Sequence, residues 1–451
     1  MFSKAFCQVP SLLAISLLWL GSSSCLAESS EAKAISVQTV PVTEPGKAQL
    51  VESVVVTAGP FDIHRKYRSM EGPYVTESFK ISDLLARKNS YIGEDQVKFV
   101  ENGQQASMAG SAQPPEHELA GASAAKELLW IVGAKLVVLD ENDRVLPTAE
   151  FICHFNLDLE RRDRIFPQIH AGSNRLITIT QGQTDVHFPP GCGVPVASNE
   201  YIHLKFQAAN RTTEEHRRLK HRCTVDIVRD SDLKTPMTAL SWYTPFMAIE
   251  VDKNSKITST VPHSPDCLAL SSGENAPNAI PGTVIDYGVN SKVSSHWKVL
   301  PGKHLYTCPL PAERDAGFNQ ENRTVRAIWT HCHPLCQKVV MLVCDGKKKT
   351  PLWSVDVSNK LDHGMEIEKI SDFDFGRGVL LPKGKQLEID AIYNNTTGEP
   401  QDSMVSQGVF FEVPNFTKPD WSKAPEPTAE GVQGDDRFCG IRPMASPHAP
   451  R

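Results

Sequence analysis

Apolar and polar residues alternate with a period of two along much of this chain. The clearest runs are LLWIVGAKLVVLD (Leu128–Asp140), NRLITIT (Asn174–Thr180) and EYIHLKFQA (Glu200–Ala208). Shorter ones, CTVDIV, TVRAIW, KVVMLVC, PLWSVDV, KQLEIDAIY and GVFFEV, follow towards the C-terminus. They are rich in Val, Ile and aromatic residues and are broken by turn residues such as Glu141-Asn142-Asp143 and Asp345-Gly346, which is the pattern of short β-strands. A helical period shows only in short pieces such as Ile81–Arg87. The prediction is an all-β chain of two tandem antiparallel β-sandwich domains, jelly-roll-like in character.

Composition refines this picture. The 451 residues suit two domains and tails, and 40% apolar residues supply enough side chain for two cores. The net charge is −6 with no basic block, which argues against nucleic acid as a partner. Residues 1–27 read as a signal peptide: Lys4 is the basic start, Leu12–Leu20 a short apolar stretch, and Ala27 a cleavage position. That stretch is too short to span a bilayer, and no later segment looks transmembrane. The expected protein is therefore exported, periplasmic or secreted. A flexible stretch is expected over 28–47, a first sandwich over 48–251, a linker or insertion over 252–294, a second sandwich over 295–413, and a disordered tail over 414–451. Gly103–Ser123 reads as a surface loop.

Export changes the reading of the cysteines. Nine of the 11 lie beyond the signal, and most of them are expected to form disulfides in an oxidising compartment. Export also makes the N-x-S/T sequons at Asn210, Asn322, Asn394, Asn395 and Asn415 candidates for glycosylation in a eukaryote.

The chemistry concentrates in WTHCHPLC, Trp329–Cys336. On a strand, His331 and His333 share one face while Cys332 points to the other, and Pro334 ends or kinks the strand. Two imidazoles at this spacing can reach one metal ion. A structural zinc site lacks a second ligand pair, and the further His-x-His pairs of the blue multicopper oxidases are absent. Two surface histidines beside a disulfide half remain the alternative.

KHLYTC, TVRAIWTHCHPLCQKVVMLVCDGK and LLPKGKQLEIDAIYNNTTGEPQDSM together resemble the copper type II, ascorbate-dependent monooxygenases, the family of the peptidylglycine- and dopamine-hydroxylating enzymes. The resemblance implies a copper site made by His331, His333 and Met404, with one ion per chain. Two imidazoles and a thioether with an open position suit copper cycling between its two oxidation states. It also implies O2-dependent hydroxylation of a C–H bond, with electrons from an external reductant such as ascorbate. The substrate would be a small molecule or peptide.

Upstream, EFICHFNLDL, FPPGCGVP and YIHLKFQAAN are similar to the segments that hold the family's second, electron-storing copper. There the His-His pair reads Cys153-His154, and the later His-Tyr reads Gln207-Ala208, so His154 is the one ligand position retained. Trp329 stands where the peptide-amidating branch has an arginine for the substrate carboxylate, and it is expected to pack. The alternative function is a non-catalytic exported copper-binding or interaction protein that has lost two-copper catalysis.

Overall fold

The computed structural model describes residues 40–44, 47–67, 72–100, 126–159, 166, 168–169, 174–211, 216–247, 249–251, 257–259, 283–286, 291–294, 297–310, 321–361 and 365–421. The proposed signal peptide, the Gly103–Ser123 stretch and the chain beyond Trp421 lie outside the described residues, as do Cys7, Cys25, Cys267 and Cys439.

The chain is all-β, with sheets stacked as sandwiches. The largest sheet has 11 strands. Its main path runs through Val40–Glu44, Lys47–Ile63, Arg217–Arg229, Leu128–Asp140, Cys192–Ala197, Thr238–Tyr243, Val405–Glu412, Arg323–Cys332 and Val379–Leu381. A five-stranded sheet containing Gly72–Lys80, Tyr201–Ala208, Ile152–Leu159 and Arg175–Ile179 covers the early end of this sheet. A second five-stranded sheet containing Gly302–Leu310, Gln386–Asn395, Cys336–Asp345, Lys348–Lys360 and Glu366–Ile370 covers its late end. Pairing is antiparallel except for two parallel contacts, Cys192 with Thr238 and the strand Asn89–Ile92 with Val55–Ala58. Ile81–Arg87 is the α-helix that the sequence period anticipates.

Two cores result. Trp130, Phe155, Phe206 and Trp242 belong to the first, and Trp297, Trp353, Tyr393 and Phe411 to the second. The strands Val405–Glu412 and Arg323–Cys332 belong to both. Phe410, Ala327 and Trp329 pack into the first core, whereas Val405, Val409, Phe411 and Cys332 pack into the second. A strand buried on both faces loses its polar alternation, which is why GVFFEV is apolar almost throughout. The pairing of Leu240 with Glu412 and of Tyr243 with Val409 carries one sheet across from the first half of the chain to the second.

Between the halves, Ile249–Val251, Ile257–Ser259, Thr283–Asp286 and Ser291–Ser294 form a four-stranded sheet of their own. Beyond Val413 the chain still packs: Phe416 lies edge-on to Trp130 with ring centroids 5.5 Å apart, and Trp421 leans on the first core.

Candidate metal centre

The shared strand Arg323–Cys332 sets the site. Ala327, Trp329 and His331 alternate towards the first half of the molecule, while Cys332 turns into the second core. Trp329 is fully buried, and its indole N–H donates to the Leu176 carbonyl at 2.9 Å. It packs, as expected. Its neighbour across the ladder is Gly408, where a Cβ would sit 2.0 Å from the indole nitrogen, so only glycine fits beneath the ring.

The strand ends at Cys332, and His333 opens a turn through Pro334 and Leu335. Leu335 takes a left-handed φ of 76°. Asn359 holds that conformation by accepting from Leu335 N at 2.7 Å and donating to Cys336 O at 2.6 Å. An αL conformation at leucine costs about 1–3 kcal/mol unless its surroundings fix it, and here a side chain does.

His331 and His333 are buried to 3% and 1% exposure, their rings perpendicular with centroids 5.4 Å apart. With metal–nitrogen bonds of about 2 Å, two imidazoles on one tetrahedral ion place their centroids about 5 Å apart, so this pair has the right spacing. The Nδ1 of His333 lies 3.2 Å from Asp402 Oδ2 and 3.3 Å from the Asp402 carbonyl. The backbone carbonyl is the hydrogen-bond acceptor, and an acceptor on Nδ1 orients a ligating histidine and leaves Nε2 for an ion. Asp402 is held there because Gln401–Ser403 pairs with Trp297–Val299.

Met404 lies just past the end of this ladder: His331 is opposite Ser406 and Cys332 opposite Val405, and Met404, half-buried, precedes Val405 in the chain. Its carbonyl accepts the Tyr393 hydroxyl at 3.1 Å.

His154, from the first half, is also here. Its ring stands edge-on to His331 with centroids 6.2 Å apart, and it is 8% exposed. The three imidazoles thus form one cluster across the junction of the halves. Among the described residues, no three His, Cys, Asp or Glu side chains converge closely enough to hold a metal ion. What the structure brings together is the pair of His331 and His333, with His154 flanking them.

The bond network at the junction fixes this approach. The Gln181 side chain donates to the carbonyls of Glu150 and Ile152 at 2.8 and 3.1 Å, at the start of the His154 strand, and accepts from Ile367 N at 3.2 Å. Gln183 Oε1 accepts from Thr330 N at 2.8 Å, next to His331.

Beyond His154, its strand carries a buried polar row. Asp158 accepts from Arg175 Nε at 2.6 Å and lies 3.3 Å from Lys205 Nζ. Burial pushes this carboxyl up, but the two cations outweigh it and hold its pKa below the ordinary carboxylate value. Gln207 sits directly opposite His154 and is itself buried. His203, the other histidine of that strand, meets Ser78 Oγ through Nδ1 at 2.7 Å and takes no part in the cluster.

The cysteines depart from expectation. Among the described residues, no disulfide joins any two of Cys153, Cys192, Cys223, Cys308, Cys332, Cys336 and Cys344. Cys153 lies in one sheet, whereas Cys192 lies in the facing one, where burial raises the pKa of its thiol. The Cys336 thiol donates to the Lys338 carbonyl at 3.7 Å, and the nearby Cys336 thiol together with burial raises the Cys332 pKa well above that of an ordinary thiol.

Two of the sequons are closed to a glycan. Asn210 is fully buried, with its amide donating to Arg65 O at 2.7 Å. Asn395 is 2% exposed and donates to Val299 O and Glu399 O.

A cavity of about 360 Å³ opens between the halves, lined by Val138, Ile152, Thr148, Lys360, Glu366 and Glu368 among others. None of the three histidines lines it. Among the described residues, no helix is long and apolar enough to cross a membrane.

No family model matches the sequence, and no curated protein matches it. The similar solved structures include viral ones. One is that of infectious bursal disease virus, Gx strain, at 8% identity over 84% of this chain and 75% of the other, with a TM-score of 0.17. Another is the triple jelly roll fold and turret assembly of an archaeal virus, at 8% identity over 64% of this chain and 52% of the other, with a TM-score of 0.12. The chain spans about half the length of the latter, and scores this low carry nothing about function.

Proposed function

We propose that this is an exported mononuclear copper protein whose ion is held by His331, His333 and Met404 at the junction of two β-sandwiches. One observation carries the reading: two buried imidazoles at single-ion spacing, one of them with a carboxylate on its outer nitrogen. Bound copper would supply one-electron redox chemistry and a site for oxygen. The chain's own contribution is positional. Asp402 keeps His333 in the tautomer that presents Nε2, Gln183 anchors the backbone beside His331, and His154 shields the cluster on the first-half side. On this reading the reaction is monooxygenase-like: O2 and a reductant such as ascorbate hydroxylate a C–H bond of a small-molecule or peptide substrate.

A second reading, copper binding without turnover, is favoured by burial. All three imidazoles are less than a tenth exposed, and the described cavity between the halves does not reach them. Elemental analysis of copper-replete protein tests the shared claim. One copper per chain, lost in H331A/H333A, supports it, and no retained copper removes it. Oxygen uptake with ascorbate then separates the two readings, since only the enzyme consumes oxygen with a substrate.

A further inference from the structure

The cavity between the halves is made by residues that take no part in the histidine cluster. From the first half come Leu136 and Val138, the Leu146–Ala149 segment and Ile152. From the second half come Lys360, Glu366 and Glu368, where the strands Lys348–Lys360 and Glu366–Ile370 meet. Hydrogen bonds hold the walls in place. Leu146 N donates to Val138 O and Leu136 N to Thr184 O, both at 2.9 Å. Glu366 Oε1 accepts from Thr148 Oγ1 at 3.1 Å and from Ala149 N at 2.8 Å, so one carboxylate joins the two sides. Gly182, at φ 75°, accepts from Ile370 N at 2.9 Å and lies so close to Ile367 that a Cβ would come within 2.3 Å of its side chain. The cavity is therefore preformed, as small-molecule sites between domains usually are.

Its charges are arranged on one side. Ile367 is buried in the second core, so its neighbours Glu366 and Glu368 point the other way and line the cavity. The ladder bulges at this point: Asn359 pairs with Ile367 and Ser358 with Lys369, which leaves Glu368 opposite no residue. Bulges re-aim side chains and are common beside functional sites. Lys360 is directly opposite Glu366, which puts its side chain on the same face as the carboxylates. Among the described residues, neither Lys360 nor Glu368 makes an ion pair or a side-chain hydrogen bond. Two carboxylates and one ammonium thus edge a space of about 360 Å³, and its lining includes the fully buried Leu136, Val138 and Ile152.

We propose that this cavity is a binding site for a free α-amino acid with an apolar side chain. Glu368 and the second oxygen of Glu366 take the α-ammonium, Lys360 takes the α-carboxylate, and the side chain lies on Leu136, Val138 and Ile152. Each end of such a ligand meets its opposite charge. Two carboxylates against one ammonium disfavour a simple anion such as phosphate. None of the three clustered imidazoles lines the cavity, so the inference stands whether or not they hold an ion.

Isothermal titration calorimetry of the full chain near neutral pH tests this. The probes are L-leucine, L-phenylalanine, L-leucinamide, which lacks the carboxylate, and N-acetyl-L-leucine, which lacks the ammonium. Saturable binding of one L-leucine or L-phenylalanine per chain is expected, with each blocked leucine about tenfold weaker, the effect of losing one charge-assisted hydrogen bond. E368Q should weaken L-leucine and erase its advantage over N-acetyl-L-leucine. K360M should weaken L-leucine and erase its advantage over L-leucinamide. Both side chains are exposed, so neither change disturbs a core, and an unchanged melting temperature checks this. Absence of saturable binding by both amino acids overturns the inference. Equal affinity for L-leucine and L-leucinamide, or wild-type affinity in both variants, overturns it also, since the charges would then play no part in recognition.

Discussion

His221 is an imidazole with no room for its proton. It is fully buried against Phe61, ring centroids 4.9 Å apart, and burial pushes its pKa down to about 4. The unfolded chain, with an ordinary histidine pKa, binds that proton more readily. Stability is therefore full above about pH 6.5 and falls as the pH drops towards 4, by about 3 kcal/mol in all. Urea denaturation at pH 7 and pH 4 should show this loss in the wild type and much less of it in H221F. Equal acid loss in both proteins would refute the assignment.

His187 has the opposite sign. Hydrogen bonds to Asp185 and Asp226 outweigh burial and raise its pKa to about 9. Its contribution is complete below about pH 6.5 and is lost as the pH rises through 9. H187N should flatten the alkaline limb of the stability profile between pH 7 and 10. At the histidine pair, D402A removes the carboxylate but keeps the backbone acceptor on Nδ1, so it should leave the fold intact and weaken copper affinity by no more than about 10-fold, the low end for groups that orient a ligating ring. Competition with a chelator of known affinity reads this directly.

At the scale of elements, the seam strands decide most. Trp329 reaches across Gly408 to the Leu176 carbonyl, so G408A forces the indole aside. Overpacking of this kind costs about 1–3 kcal/mol, and the change should lower the melting temperature while loosening the site. W329F, which keeps most of the packing and loses the hydrogen bond, should cost less.

Much of the element structure was legible in the residues. The strand Leu128–Asp140 and the helix Ile81–Arg87 match their sequence patterns to the residue, because alternation and short-range propensity are local signals. The facing of Cys332 away from His331 followed from strand geometry alone. What did not follow was long-range. Nothing in GVFFEV announces that it pairs with Thr238–Tyr243 on one side and Arg323–Cys332 on the other, making one sheet of two halves. The contact of His154 with His331 depends on that seam and on the Gln181 and Gln183 side chains, so no local pattern could reveal it. The lack of disulfides among the described cysteines was missed for a related reason. Pairing depends on which sheet each cysteine joins, and count and compartment do not supply that.

At the scale of the whole molecule, two cores share one sheet, and the donors of the candidate centre lie where the halves meet. Strands buried on both faces couple the cores, so thermal unfolding should be a single cooperative transition, and copper should shift all of it upward. The central claim is a single ion between two imidazoles and a thioether. X-ray absorption at the copper edge of the reduced, copper-loaded chain tests it most directly. The account predicts two imidazole shells and one sulfur scatterer, with the sulfur lost in M404L and the imidazoles lost in H331A/H333A. A copper shell of oxygen alone, or a sulfur that survives M404L, would contradict it.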